Sequence, residues 1–161
     1  MKIALITDTY SNATEKAAAE ASALVLASNT AAEGDNFAPP GDVRMDGDVE
    51  IQDVKRINAS ARELYPRGNR SRTFSFVVRP KYSTLAAAAA GAVAIGARVG
   101  TAGQIVVTPS PEETAEAALV YPQQADSSQN PIFNGKDRAV IRRVKTSQIG
   151  VTVEARYEIE F

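Results

Sequence analysis

The sequence Val-Thr-Val-Glu-Ala-Arg-Tyr-Glu-Ile-Glu-Phe, at residues 151–161, alternates apolar and polar side chains without a break. Successive side chains of a β-strand point to opposite faces, so this alternation predicts a strand with one buried face. At about 3.4 Å per residue the strand is about 35 Å long, well beyond the usual length. We therefore expect it in a large sheet or in a ribbon that spans subunits.

The amino-acid composition alone excludes several kinds of chemistry. The chain has 161 residues, enough for one domain with an added arm, and its 18 basic and 19 acidic residues nearly cancel. Cysteine and histidine are both absent, which removes disulfides, thiolate chemistry and every Ser-His or Cys-His nucleophile. We expect a protein that is not an enzyme, with no catalytic residues, no cofactor and no metal site.

Neither apolar stretch of the chain fits a targeting or spanning segment. The run that opens the chain ends at Thr7, too early for a secretory signal, and residues 85–99 are apolar over only fifteen positions. A helix needs about twenty apolar residues to cross a bilayer. We expect a soluble protein without a membrane span.

Propensities and turn residues give a coarse assignment of the remaining elements. They predict helices at residues 15–27 and 85–98, with Ser83 or Thr84 capping the second, and a helical turn at 57–65. Loops are expected at 29–48 and 123–135, and strands at 2–7, 49–54, 73–78, 104–108, 115–121, 139–145 and 151–161. Residues 1–48 thus form a strand and helix followed by an acidic, Pro/Gly-rich loop or arm, and residues 49–161 form a β-rich core.

The first sixteen residues carry one resemblance. A strand meets a hydroxyl-rich loop and a helix start, which is similar to the opening of flavodoxins. In that family such a loop binds phosphate through backbone N–H groups, hydroxyls and the helix dipole. The resemblance implies that Thr9, Ser11 and Thr14 bind a cofactor, in a flavin- or nucleotide-binding protein. Asn12 stands where that motif has glycine, so a plain Ser/Thr/Asn turn is the competing interpretation.

A second resemblance covers about two-thirds of the chain. From residue 46 onward the expected order is strand, turn, strand, Ala-rich helix, strand, long loop and closing hairpin. Residues 64–70, 72–78, 85–99 and 144–153 make this part similar to tail proteins of bacteriophages and prophages. The resemblance implies an α+β fold, mainly an antiparallel β-sandwich or rolled sheet with one flanking Ala-rich helix.

The same resemblance implies a structural role as a tail-tube, distal-tail or tail-completion subunit. Such subunits form rings, which we expect to be hexameric or trimeric, and their inner sheets join into a barrel through which DNA passes without sequence readout. Neighbouring tail proteins are the other expected partners. The expected location is the virion tail, after synthesis in the bacterial cytoplasm. An oligomeric β-rich adhesin or receptor-binding module is a third interpretation.

Ring formation gives the two faces of the last strand separate roles. A long edge strand is an aggregation hazard for a monomer, whereas a neighbouring subunit in a ring satisfies its backbone groups. The predicted assembly interface consists of the apolar positions Val151, Val153, Tyr157, Ile159 and Phe161. The predicted lumen or charged face consists of Glu154, Arg156, Glu158 and Glu160.

Two basic clusters are candidates for phosphate contacts. They contain Arg67, Arg70, Arg72, Arg79 and Lys81, and then Arg138, Arg142, Arg143 and Lys145. Few aromatic residues lie between them, and alternating charges on strands are typical of a solvated face. In a ring, these cations would instead pair with the acidic residues at 33–48 of a neighbour.

Overall fold

The computed structural model describes residues 1–30, 34, 37–47, 50–55, 62–67, 72–108 and 139–160. Two helices and nine strands follow one another along these residues. In chain order they are β1 Lys2–Ile6, α1 Ala13–Ala21, β2 Leu24–Ala27, β3 Gly41–Gly47, β4 Glu50–Lys55, β5 Arg62–Arg67, β6 Arg72–Val78, α2 Leu85–Gly96, β7 Ala102–Thr108, β8 Ala139–Ile149 and β9 Thr152–Glu160.

Seven of the strands form one sheet in the order β2-β1-β7-β8-β9-β6-β3. Every neighbouring pair in this sheet is antiparallel. Strands β4 and β5 pair with each other in a separate two-stranded sheet. The α+β class, the mainly antiparallel sheet and the flanking Ala-rich helix expected from the sequence are therefore confirmed.

Strand β9 has the predicted alternation of buried and more exposed residues. Val153, Ala155, Tyr157 and Ile159 are fully buried. The expectation that this strand lies at an edge is wrong, because β9 pairs with β8 along its length and with β6 over residues 155–160. The start of β9, beyond its pairing with β6, is also hydrogen-bonded on that side, since the Val153 N–H donates to the Pro80 carbonyl at 3.0 Å.

The main core lies on one face of the sheet, beneath α2. Phe76 stacks on Tyr157 with ring centroids 5.1 Å apart, and Phe74 lies beside Phe76 at 5.4 Å. Ala88 and Ile95 of α2 are buried in the same apolar cluster. Burial of large aromatic and aliphatic side chains on this face is the main source of stability.

The N-terminal strands β1 and β2 belong to the seven-stranded sheet. Strand β1 pairs with β2 on one side and β7 on the other, and Ile3 and Leu5 lie in the main core. The helix expected at 15–27 is wrong beyond Ala21, since residues 24–27 form β2. The Ser22 N–H, which donates to the Ala18 carbonyl at 3.0 Å, caps the shorter helix.

Three other assignments differ from the sequence expectation. The loop expected at 29–48 contains β3, and the helical turn expected at 57–65 contains the start of β5. Strand β8 continues four residues further than predicted and turns through Gly150, whose φ is +61°. The expected strand at 115–121, the expected loop at 123–135 and Phe161 lie outside the described residues.

Candidate assembly surface

Helix α2 is fixed at its start by a hydroxyl cap and a tyrosine ring. The Thr84 hydroxyl accepts from the Ala87 N–H at 3.1 Å, which satisfies one N–H group of the first turn. The Tyr82 N–H donates to the Val151 carbonyl at 2.8 Å. A Cβ placed on Gly91 would lie 2.6 Å from Cε1 of Tyr82. Glycine at this position therefore allows the helix to pack directly on the ring.

The side of α2 that faces away from the sheet is apolar. No residue from Leu85 to Gly96 carries a polar or charged side chain. Leu85 and Val93 are 62% and 74% exposed. We define the outward face of α2 by its exposed positions Leu85, Ala86, Ala89, Ala90, Val93 and Ala94. A helix that is apolar on all sides is normally covered on all sides, so this face is a candidate interaction surface.

Strand β8, next to this helix, has backbone groups without a strand neighbour in the described part of the chain. Only Ala102 and Gly103 of β7 pair with β8, at Val140 and Ala139. The adjoining bond runs from the Gly100 N–H to the Ile141 carbonyl at 2.8 Å. In the part of the chain that the structure describes, residues 142–149 have no strand neighbour on the side away from β9. We call residues 142–149 the free edge of β8.

The end of the free edge of β8 lies beside the start of α2. The Gln148 side-chain amide donates to the Leu85 carbonyl at 3.2 Å, which joins the end of β8 to the start of α2. Ile149, the last residue of β8, is 75% exposed. Exposed apolar side chains beside unpaired strand groups are what a docking partner covers. We call this combined region the assembly surface.

The interface residues predicted from the sequence do not lie on this surface. Val153, Tyr157 and Ile159 are buried in the core of the chain itself, and Val151 is half-buried in the turn before β9. Their side chains therefore support the sheet and α2 from within. The sequence signal for the assembly surface was the unbroken apolar run of α2, which indicates more buried faces than one sheet can cover.

Hydrogen bonds of one arginine link the end of α2 to strands β2 and β9. Arg98, just after α2, donates to the Tyr157 hydroxyl at 2.8 Å and to the Val25 carbonyl at 3.4 Å. Burial raises the pKa of the Tyr157 hydroxyl above its usual range, and the nearby Arg98 guanidinium partly opposes that effect. The neutral phenol is therefore the form that the fold stabilises.

The predicted charged face lies on the opposite side of the sheet from α2. Arg79 pairs with Glu154 at 2.8 Å, and Arg143 pairs with Glu158 at 3.5 Å. The charged face also holds two further ion pairs, Arg142 with Glu160 and Arg156 with Asp42, the latter at 3.7 Å. Exposed pairs of this kind each contribute about 0–1 kcal/mol. The face is thus hydrated and largely neutralised by its own cross-strand pairs.

The ion pairs of the charged face involve some residues of the two basic clusters and not others. Arg79, Arg142 and Arg143 are engaged in the ion pairs above, while Lys81 and Lys145 are exposed and have none among the described residues. Arg70 and Arg138 lie outside the described residues, as do the side chains of Arg67 and Arg72. No group of three or more metal-ligating side chains occurs in the described part of the chain.

The loop proposed for cofactor binding has its helix end already occupied. Thr9, Ser11 and Thr14 are exposed around the start of α1. The Asn12 side chain accepts from the Glu15 N–H at 2.9 Å, and the Glu15 carboxylate accepts from the Ser11 N–H at 2.7 Å. A carboxylate at this helix end occupies the place where a phosphate would bind. The antiparallel sheet also differs from the parallel sheet of a doubly wound flavodoxin fold.

Among the described residues, no helix has both the length and the apolar character required to span a bilayer. A scan against models of known protein families finds no match. A search of curated protein sequences likewise finds no protein that matches this chain.

Proposed function

We propose that this chain is a non-enzymatic structural subunit of a bacteriophage tail that assembles with copies of itself into rings or a tube through which DNA passes. The observation that carries the proposal is the apolar outward face of α2. Leu85 is 62% and Val93 74% exposed on a helix without a single polar residue, and a helix that is apolar on all sides is usually covered by other protein. Assembly removes that surface from water.

Two further features support a structural subunit. The free edge of β8 lies beside α2 and offers backbone groups to an added strand. The charged face consists of cross-strand ion pairs, and such a neutralised surface suits a channel that must pass DNA without retaining it. The resemblance of residues 64–78, 85–99 and 144–153 to tail proteins supplies the biological setting.

The experiment measures assembly directly. Purified protein is examined by sedimentation equilibrium over about 1–500 µM and by negative-stain electron microscopy, the range being one that spans common affinities. We expect a mass that rises with concentration and rings or stacked tubes in the images. A monomer across the whole range would refute the proposal. Closed trimers that never stack would instead favour the adhesin interpretation.

A matched pair of variants then tests the role of α2. Val93→Lys puts a charge on the outward face, and Ala17→Lys puts the same charge on an exposed position of α1. We expect Val93→Lys to weaken assembly at least tenfold, which is about 1.4 kcal/mol, and Ala17→Lys to leave it unchanged. Both substitutions are on the surface, so both variants are expected to keep the wild-type melting temperature within about 2 °C.

A further inference from the structure

We infer that a second copy of this chain adds its edge strand β3 to the free edge of β8, so that copies join head to tail. The inference rests on the proposed function, because it names the surfaces through which the copies meet. It is carried by the positions, charges and directions of the open strand edges.

The sheet offers three open edges among the described residues: β2, β3 and the free edge of β8. Strand β2 is only four residues long, and Ser28 directly after it bridges to Phe37 and Ala38. Strand β3 has seven residues, and the free edge of β8 comprises residues 142–149, which span about 24 Å. The two long edges are therefore the candidates for strand addition.

Charge distinguishes between the ways in which these edges can pair. The free edge of β8 carries Arg142, Arg143 and Lys145 and no acidic residue. The two arginines already pair with Glu160 and Glu158 of the same chain, which leaves Lys145 as the cation of this edge without an ion pair among the described residues. Strand β3 carries two carboxylates, Asp42 and Asp46, and one arginine, Arg44. Two β8 edges would place like charges opposite each other, which is unfavourable. Pairing β3 with β8 places opposite charges across the interface.

Strand direction is compatible with the same pairing. From β8 through β9 and β6 to β3, each step is antiparallel, so β3 runs opposite to β8 within one chain. A rotation about an axis parallel to the strands does not change strand direction. In copies related by such a rotation, β3 of one copy therefore runs antiparallel to β8 of the next. Such a contact is heterologous, so it produces a closed ring or a continuing filament.

The outward face of α2 is too small to form a stable interface without the free edge of β8. Helix α2 is about 18 Å long, so its outward face alone covers only about 180 Å². A stable interface buries about 800 Å² on each partner. Ile149 is the last residue of that edge and Leu85 accepts from Gln148 of the same edge, so a copy seated there would also cover these two exposed side chains. The two parts are therefore covered together.

The test is a charge exchange between Lys145 and Asp46. Lys145 is exposed on the charged face, and the register from Asp46 through Thr73 to Glu160 places Asp46 at a position on that same face. We compare Lys145→Glu, Asp46→Lys, the double variant and the control Lys16→Glu on α1. The readout is the protein concentration at which half of the chains are assembled, at 50 mM and 500 mM NaCl, with circular dichroism as the folding control.

We expect each single variant to raise this concentration about fivefold to tenfold at 50 mM NaCl, and the double variant to return it to within about twofold of wild type. We expect the difference to shrink at 500 mM NaCl, and Lys16→Glu to behave as wild type. Single variants that assemble normally, or a double variant in which the two losses add, would overturn the head-to-tail pairing while leaving self-assembly intact. A wild type that does not assemble overturns both.

Discussion

Replacement of Gly91 by alanine tests how closely α2 sits on the sheet. Alanine is favoured over glycine inside a helix by about 1 kcal/mol. At this position, however, the new Cβ would lie 2.6 Å from Cε1 of Tyr82 and would overlap Cζ and the hydroxyl oxygen of the same side chain. Tyr82 is buried, so its ring has little room to move. Overpacking of this kind costs up to about 3 kcal/mol, which leaves a net loss of about 2 kcal/mol.

The matched control is Gly96→Ala at the last residue of the same helix. A Cβ at Gly96 meets nothing within 4 Å, so we expect a gain of about 0.5 kcal/mol. In thermal unfolding followed by circular dichroism, Gly91→Ala should melt about 4–8 °C below wild type and Gly96→Ala about 1–2 °C above it. In a Tyr82→Leu background the penalty of Gly91→Ala should disappear. Equal stabilisation by both alanines would refute the packing of α2 on Tyr82.

Three further predictions concern the core. Gly103→Ala should lower the free energy of unfolding by about 3 kcal/mol in urea titrations, because a Cβ there would lie 2.9 Å from the backbone carbonyl carbon of Ile6. Tyr157→Phe should cost about 1–2 kcal/mol at neutral pH, since Arg98 loses a hydrogen-bond acceptor. Because the pKa of Tyr157 is raised in the folded state, its hydroxyl keeps the proton at pH values at which the same group in the unfolded chain has lost it. The free energy of unfolding of the wild type should therefore fall more steeply above about pH 10 than that of Tyr157→Phe. Equal pH dependence of the two proteins would contradict the raised pKa. Ile159→Asp should give an insoluble or unfolded chain, because it buries an unpaired charge, and a soluble variant with a cooperative melt would contradict the burial of Ile159.

Where one physical rule dominates, the sequence predicted the element well. The alternation at 151–161 identified β9 because half-burial on a pleated strand requires a period of two. Thr84 and the alanine run identified α2, since a capping hydroxyl and residues of high helix propensity coincide there. These signals are local, so the remainder of the chain does not alter them.

The errors arose where pairing with a distant strand outweighed local propensity. Residues 24–27 are good helix formers, yet they form β2 because Leu24, Val25 and Ala27 pair with β1. Residues 62–65 form part of β5 through pairing with β4, despite the nearby Pro66. The position of β9 inside the sheet also depends on β6 and β8, whose order no local pattern reveals. The surface on α2 and β8 that we propose for assembly was not predicted for that reason.

The interior position of β9 separates the residues that maintain the fold from those that we propose join the copies. Ile159 and Tyr157 are fully buried in the single chain, so their replacement acts through unfolding. Val93 and Lys145 are exposed on α2 and β8, so their replacement is expected to act on assembly while the chain remains folded. If only those variants that unfold fail to assemble, the interface would consist of the residues that also form the core. A protein that loses assembly while it keeps its melting temperature has its interface on the surface formed by α2 and β8, which is the outcome that our proposal requires.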